Sequence, residues 1–112
     1  MAHAVHPNYS DKHHSTHAVE INKGVVLKIN HNQKYATDIV SGSLLKIVAN
    51  KRSVPIQEFV VKNDSPCGST IGPIIASKTG IKTCDLGAPM WGMHSIRETC
   101  GILDGPFYRD LF

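Results

Sequence analysis

The chain has 112 residues, of which 41% are hydrophobic and 19% charged, and it carries a formal net charge of +3 at pH 7. That balance describes a globular domain and excludes an intrinsically disordered one; a domain of this size buries roughly two thirds of the surface its unfolded chain exposes. Lysines and arginines are scattered, with no long run of like charge, which argues against a nucleic-acid or membrane-surface partner.

In chain order, residues 1–5 read as the tail of a strand. His6 to Lys23 is rich in His, Asn, Ser, Asp and Thr with Pro7 near its start, and reads as loop. Gly24 to Ile29 is β-branched and apolar, a strand, and His31-Asn32-Gln33-Lys34 turns the chain. Ala36, Ile39, Val40, Leu44, Ile47 and Val48 then recur at spacings of three and four, the pattern of an amphipathic helix with an apolar face for the core. Asp38 at its start and Lys51 with Arg52 at its end suit the helix dipole. Pro55 closes this region, and Ile56 to Lys62 reads as a strand.

Asn63 to Thr70 leads into a helix over 71–78 that Gly80 ends as its C′ residue. Small residues before a helix can turn backbone N–H groups toward a carboxylate or phosphate; the plainer reading is a tight turn with a Ser or Thr cap. Ile81 to Leu86 is expected to be another strand, and Gly87 to Gly92 a loop. Strands alternating with helices predict an α/β fold, a partial mixed sheet of three or four strands flanked by helices. Its open edges would leave backbone groups unpaired and the chain marginally stable.

Cys67, Cys84 and Cys100 form no C-x-x-C pair, and their odd number fits a reducing compartment. The longest apolar stretch, around Ile71 to Ala76, is broken by Gly72 and Pro73, and no basic segment precedes an apolar one. Secretion and membrane spanning are both poor readings, so a cytoplasmic protein is expected.

Two strings carry chemistry: Met-Ala-His-Ala-Val-His-Pro-Asn-Tyr at residues 1–9, and Met93-His94-Ser95-Ile96-Arg97-Glu98. Taken singly, His94 is an ordinary exposed histidine, His3 a solvated terminal one, Lys28 a surface lysine and Tyr35 a packing tyrosine. Together the strings resemble the C-terminal part of the catalytic domain of the aspartyl aminopeptidases, a family of dinuclear zinc exopeptidases. From His3 through Lys28 and Tyr35 to His94 the register is similar to the family pattern without insertion or deletion.

The resemblance implies that His94 is a zinc ligand, with Arg97 and Glu98 an orienting or structural pair beside it. It implies that His3, Lys28 and Tyr35 touch substrate, a peptide with an N-terminal Asp or Glu. The Lys28 ammonium would meet the acidic side chain, and the Tyr35 hydroxyl would donate to the polarised carbonyl oxygen. The family binds two zinc ions with two histidines, two aspartates and a glutamate, and uses a further glutamate as general base. One histidine of that set is present, so the other ligands and the base are expected upstream of Met1 and the isolated chain is expected to be inactive. The family also forms homo-oligomers through a separate dimerisation domain that contributes a histidine to the neighbouring subunit. Cys100 to Phe112, interrupted by Gly101, Gly105 and Pro106, is too short for the family's long final helix.

Two other readings stay open. One is an inactive fragment or paralogue that acts by associating with a full-length subunit. The other is a small stand-alone domain whose His13, His14 and His17 bind metal, since His13 and His17 have helical i, i+4 spacing; no strong helix former surrounds them, and a solvated loop is the plainer reading.

Overall fold

The structure, a computed structural model, describes residues 2–62 and 64–112; Met1 of the expected first strand and Asn63 of the loop before the second helix lie outside them. Six strands and three α-helices occur among these residues: β1 Ala2–His3, β2 Val25–Ile29, α1 Ile39–Lys51, β3 Ile56–Val60, α2 Gly72–Thr79, β4 Leu86–Gly87, β5 Pro89–Trp91, β6 Thr99–Cys100 and α3 Asp104–Leu111. The expected loop from His6 contains a 3₁₀ helix, Pro7–Lys12.

The strands form two mixed three-stranded sheets, ordered β1-β5-β6 and β3-β2-β4, rather than the single partial sheet expected. β2 is the centre of one, parallel to β3 with Lys28 opposite Phe59, and antiparallel to β4 with Leu27 opposite Leu86. β5 is the centre of the other, parallel to β1 and antiparallel to β6. β4 runs through Ala88 straight into β5, so one extended stretch passes from sheet to sheet.

Val25, Val26 and Leu27 are no more than 1% exposed, so β2 is covered on both faces, as its unbroken apolar run requires. Val26 packs with Ala2, Ala4 and Val19, a cluster that joins the two sheets; Ile21 and Phe59 lean on it. On the other face Val25 packs with Ala49, Val54 and Leu111, backed by Leu45, Ile56 and Phe107. Burying a Val or Leu side chain of this kind is worth about 1.5–3 kcal/mol. At the entrance to β2, Gly24 has φ +107°, and a Cβ there would run into the Pro55 carbonyl that accepts the Val25 N–H.

Several expectations need correction. The stripe expected to face the core from α1 faces outward: Val40, Leu44, Ile47 and Val48 are exposed, and Ile39 is 88% exposed. The buried positions are Ser41, Gly42 and Ala49, because small side chains let the helix approach the sheet; a Cβ on Gly42 would already touch Leu27. Asp38, expected only to suit the helix dipole, is the N-cap of α1, and it and Ser41 exchange backbone and side-chain bonds in a capping box.

The strand expected over 81–86 shrinks to Leu86–Gly87. Thr79 and Thr83 hydroxyls bond the Ile81 N–H and C=O, offering that stretch local partners in place of a ladder. The expected loop at Pro89–Trp91 is a central strand. Pro89 stands at its first residue, where a missing N–H is tolerated. Gly105 and Pro106 do not prevent a C-terminal helix, since both fall in the first turn of α3, whose N–H groups have no helical partners anyway.

Asp104, 1% exposed, anchors α3. Its two carboxylate oxygens accept the backbone N–H groups of Asn22 and Gly24, at 2.8 and 3.2 Å, just before β2.

Candidate active-site cleft

The end of β1, the end of β2 and the turn after β5 converge. Parallel pairing sets His3 beside Met90, and the chain then turns through Gly92, at φ +69°, to present His94. His94 itself has φ +68°, held by its N–H donating to the Glu98 carboxylate at 2.6 Å. Glu98 thus orients the His94 backbone. The expected Arg97–Glu98 pair is not formed as an ion pair among the described residues, because that carboxylate is turned to the turn's backbone.

In β2, Lys28 shares a face with Val26, since alternate strand residues point the same way; it is 9% exposed. The turn after β2 returns Tyr35 to the same place, with the Lys28 ammonium 4.3 Å from the centre of its ring. The loop before α2 closes the other side: the Thr70 N–H and the Ser69 hydroxyl both donate to the Lys34 carbonyl, at 3.0 and 3.2 Å. The Thr70 hydroxyl also accepts the Gly72 N–H at 3.3 Å, so the loop is a tight turn. The N-cap of α2, however, is Ile71, which makes no side-chain cap bond, and the expected Ser or Thr cap is not formed there.

The result is a cleft of 530 Å³ lined by Ala2, His3, Lys28, Tyr35, Phe59, Gly68, Ser69, Thr70, Met93 and His94. All four residues singled out for chemistry, His3, Lys28, Tyr35 and His94, therefore share one cavity, although they come from both sheets.

The cleft shapes its titrating groups. Burial, the Lys28 ammonium and the nearby His94 hold the His3 imidazole below its ordinary 6.5, so it is neutral at pH 7. Burial also lowers Lys28 from its usual 10.5, an effect that Asp85 and Cys67 oppose. Burial raises the Tyr35 phenol above 10.0, which keeps it protonated.

The donor chemistry suits zinc in part. An imidazole such as that of His94 is a standard zinc ligand. Among the described residues, however, no group of three or more His, Cys, Asp or Glu side chains is placed to hold a metal ion. The cleft can offer a ligand and a substrate-binding wall, and no metal-dependent step follows from these residues alone.

Sequence reasoning missed three neighbours. The Cys67 thiol donates to the Tyr35 hydroxyl at 3.2 Å. Phe59 stands opposite Lys28 and lines the cleft. His13, assigned to a solvated loop, lies near His3; burial foremost, and then His3, lowers its pKa, and it meets Phe59 edge-on with ring centres 6.0 Å apart. Position in the sequence gave no signal for any of them.

His13 and His17 do not converge as a helical pair. His17 turns to Glu58 at 3.5 Å and to His14, with the Nδ1 atoms 3.4 Å apart and the Thr16 hydroxyl between them. No helix among the described residues is long and apolar enough to cross a membrane.

Comparison with known proteins places this architecture. Residues 1–112 match the family described as aminopeptidase I zinc metalloprotease (M18). The chain is 57% identical over 112 residues to a probable aspartyl aminopeptidase of Ricinus communis, and equally to aspartyl aminopeptidase 4 of Saccharomyces cerevisiae. It spans all of its own length but 23% of each of those relatives. Among solved structures, it superposes on a chain of the cryo-EM structure of the Ape4 and Nbr1 complex with a TM-score of 0.95 and 54% identity, covering 98% of this chain and 21% of that one. With the crystal structure of prApe1 the TM-score is 0.92 at 36% identity, covering 99% and 24%; with the S. cerevisiae mApe1 dodecamer it is 0.86 at 32%, covering 98% and 24%. A mixed α/β segment with these sheets, matched along its whole length, belongs to the M18 family of aminopeptidases.

Proposed function

We propose that these residues are part of the catalytic domain of a zinc-dependent aminopeptidase that releases N-terminal Asp or Glu from peptides. The observation that carries this is the shared cleft: His3, Lys28, Tyr35 and His94 line one cavity although far apart in sequence. Lys28 has lost much of its hydration, so a carboxylate is its natural partner there. It would hold the acidic side chain of the substrate's first residue. Tyr35, kept protonated, donates to the scissile carbonyl oxygen as negative charge grows on it. His3, held neutral, can donate one hydrogen bond and accept another, which suits contact with the peptide backbone.

His94 would be the residue of this segment that holds zinc, in a family site of two ions. Zinc bound there supplies Lewis-acid polarisation of the carbonyl and a water of lowered pKa. The carboxylate ligands, the general base and the dimerisation domain belong to other parts of the polypeptide, and the 112 residues by themselves are inactive. The outward apolar faces of α1 and α2, including Leu44, Ile47 and Ile74, are where the rest of the catalytic domain packs. The complete enzyme is a homo-oligomer, a reading supported by the dodecameric relative. Its three free thiols suit a reducing cytoplasm.

The test is transplantation. These 112 residues replace the matching segment of S. cerevisiae aspartyl aminopeptidase 4, and the hybrid is assayed with zinc on aspartyl, glutamyl and alanyl peptides. Hydrolysis favouring the acidic residues, lost on chelation, is expected. A folded, zinc-loaded hybrid with no such preference removes the proposal, and so does chelator-sensitive hydrolysis by the 112-residue chain alone for the claim of inactivity.

A further inference from the structure

Tyr35 is pinned on its faces but not by them aimed. The Lys28 ammonium lies over the ring at 4.3 Å, and Phe59 meets it at a tilt with ring centres 6.5 Å apart. Neither contact fixes the direction of the phenolic O–H. Among the described residues the hydroxyl has one hydrogen-bond partner, the Cys67 thiol at 3.2 Å. Cys67 is itself held in place, because the loop that follows it is tied to the carbonyl of Lys34, the residue before the tyrosine, through Ser69 and Thr70.

We propose that Cys67 is a positioning residue for Tyr35, donating its S–H to the phenolic oxygen so that the phenol's own proton is directed at the substrate carbonyl. This rests on the peptidase reading above. A phenol has one proton to give and lone pairs to receive. With the thiol filling a lone pair, Tyr35 has no acceptor for its proton among the described residues, and a bound carbonyl oxygen becomes the partner. The Gly68 carbonyl, 3.3 Å from the same sulfur, is the competing acceptor. A thiol turned to it would leave Tyr35 free to donate to sulfur, away from substrate.

Two experiments decide the matter. In the hybrid enzyme, Cys67→Ala lowers kcat roughly 3- to 10-fold, the worth of one modest hydrogen bond, with KM within about twofold. Cys67→Ser, which keeps an O–H donor, restores most of that loss. The double variant Cys67→Ala with Tyr35→Phe is no slower than Tyr35→Phe alone, because the thiol acts only through the phenol. A structural role would instead give additive losses and no rescue by serine.

In the 112-residue chain, Tyr35→Phe changes the rate of iodoacetamide alkylation at Cys67 at least about twofold, while Cys84 and Cys100 react as before. An unchanged Cys67 rate, or an unchanged kcat in Cys67→Ala, overturns the inference and leaves the peptidase reading intact. A wild-type hybrid that hydrolyses nothing takes down the peptidase reading, and the role of Cys67 with it.

Discussion

Replacing Asp104 with alanine should loosen the fastening of α3 to the start of β2, the strand that carries Lys28, although the residue lies outside the cleft. Its carboxylate is 1% exposed and accepts two backbone N–H groups, Asn22 at 2.8 Å and Gly24 at 3.2 Å. Removing it leaves the buried Gly24 N–H without a partner, at about 1–3 kcal/mol, and takes away the part-buried bond from Asn22, worth about 0.5–1.5 kcal/mol. Relief of the carboxylate's own desolvation offsets part of this, so a net loss of about 1–3 kcal/mol is expected. That is a large share of the 5–15 kcal/mol by which domains are typically stable. Asp104→Asn keeps one acceptor and turns an NH₂ toward the second donor, so it should lie between wild type and alanine. Urea unfolding, followed by Trp91 fluorescence and far-UV circular dichroism, measures the difference at constant m-value. A loss below about 0.5 kcal/mol for Asp104→Ala would mean that water reaches those N–H groups and that α3 is not fastened to β2 through this side chain.

Three further outcomes concern the cleft of the hybrid enzyme. His94→Ala should reduce bound zinc, with affinity falling at least about tenfold; full occupancy by mass spectrometry of the metal would remove His94 from the ligand set. Lys28→Ala should lower the ratio of kcat/KM for aspartyl over alanyl substrate by roughly 30-fold or more, the value of a buried charge pair of about 2 kcal/mol. An unchanged ratio would mean that another group reads the acidic side chain. Because burial depresses the Lys28 pKa, its ammonium loses its proton below the ordinary 10.5 as pH rises. Preference for acidic substrate should therefore fade on the alkaline side earlier than a free lysine would allow, while Lys28→Arg, charged throughout, should show no such fade.

The stretches whose own residues decide their structure were legible in the sequence. The largely apolar run at 25–29 read as a strand, Asp38 suited the start of α1, and Gly80, at φ +70°, had to end α2. The family was legible too, because spacing along a chain survives as register, and the four residues the resemblance singled out, His3, Lys28, Tyr35 and His94, line one cleft.

What long-range packing chose was not legible. Which side of α1 faces inward depended on how closely the helix could approach Leu27, and small residues won over large apolar ones. Pro89–Trp91 became a central strand only because β1 and β6 arrived on its two sides. Cys67 came to the Tyr35 hydroxyl, and His13 to His3, through a fold that joins residues with no periodic relation in sequence. Local patterns fix what a segment can become, and the closing of two sheets around one cleft decides which side chains meet there.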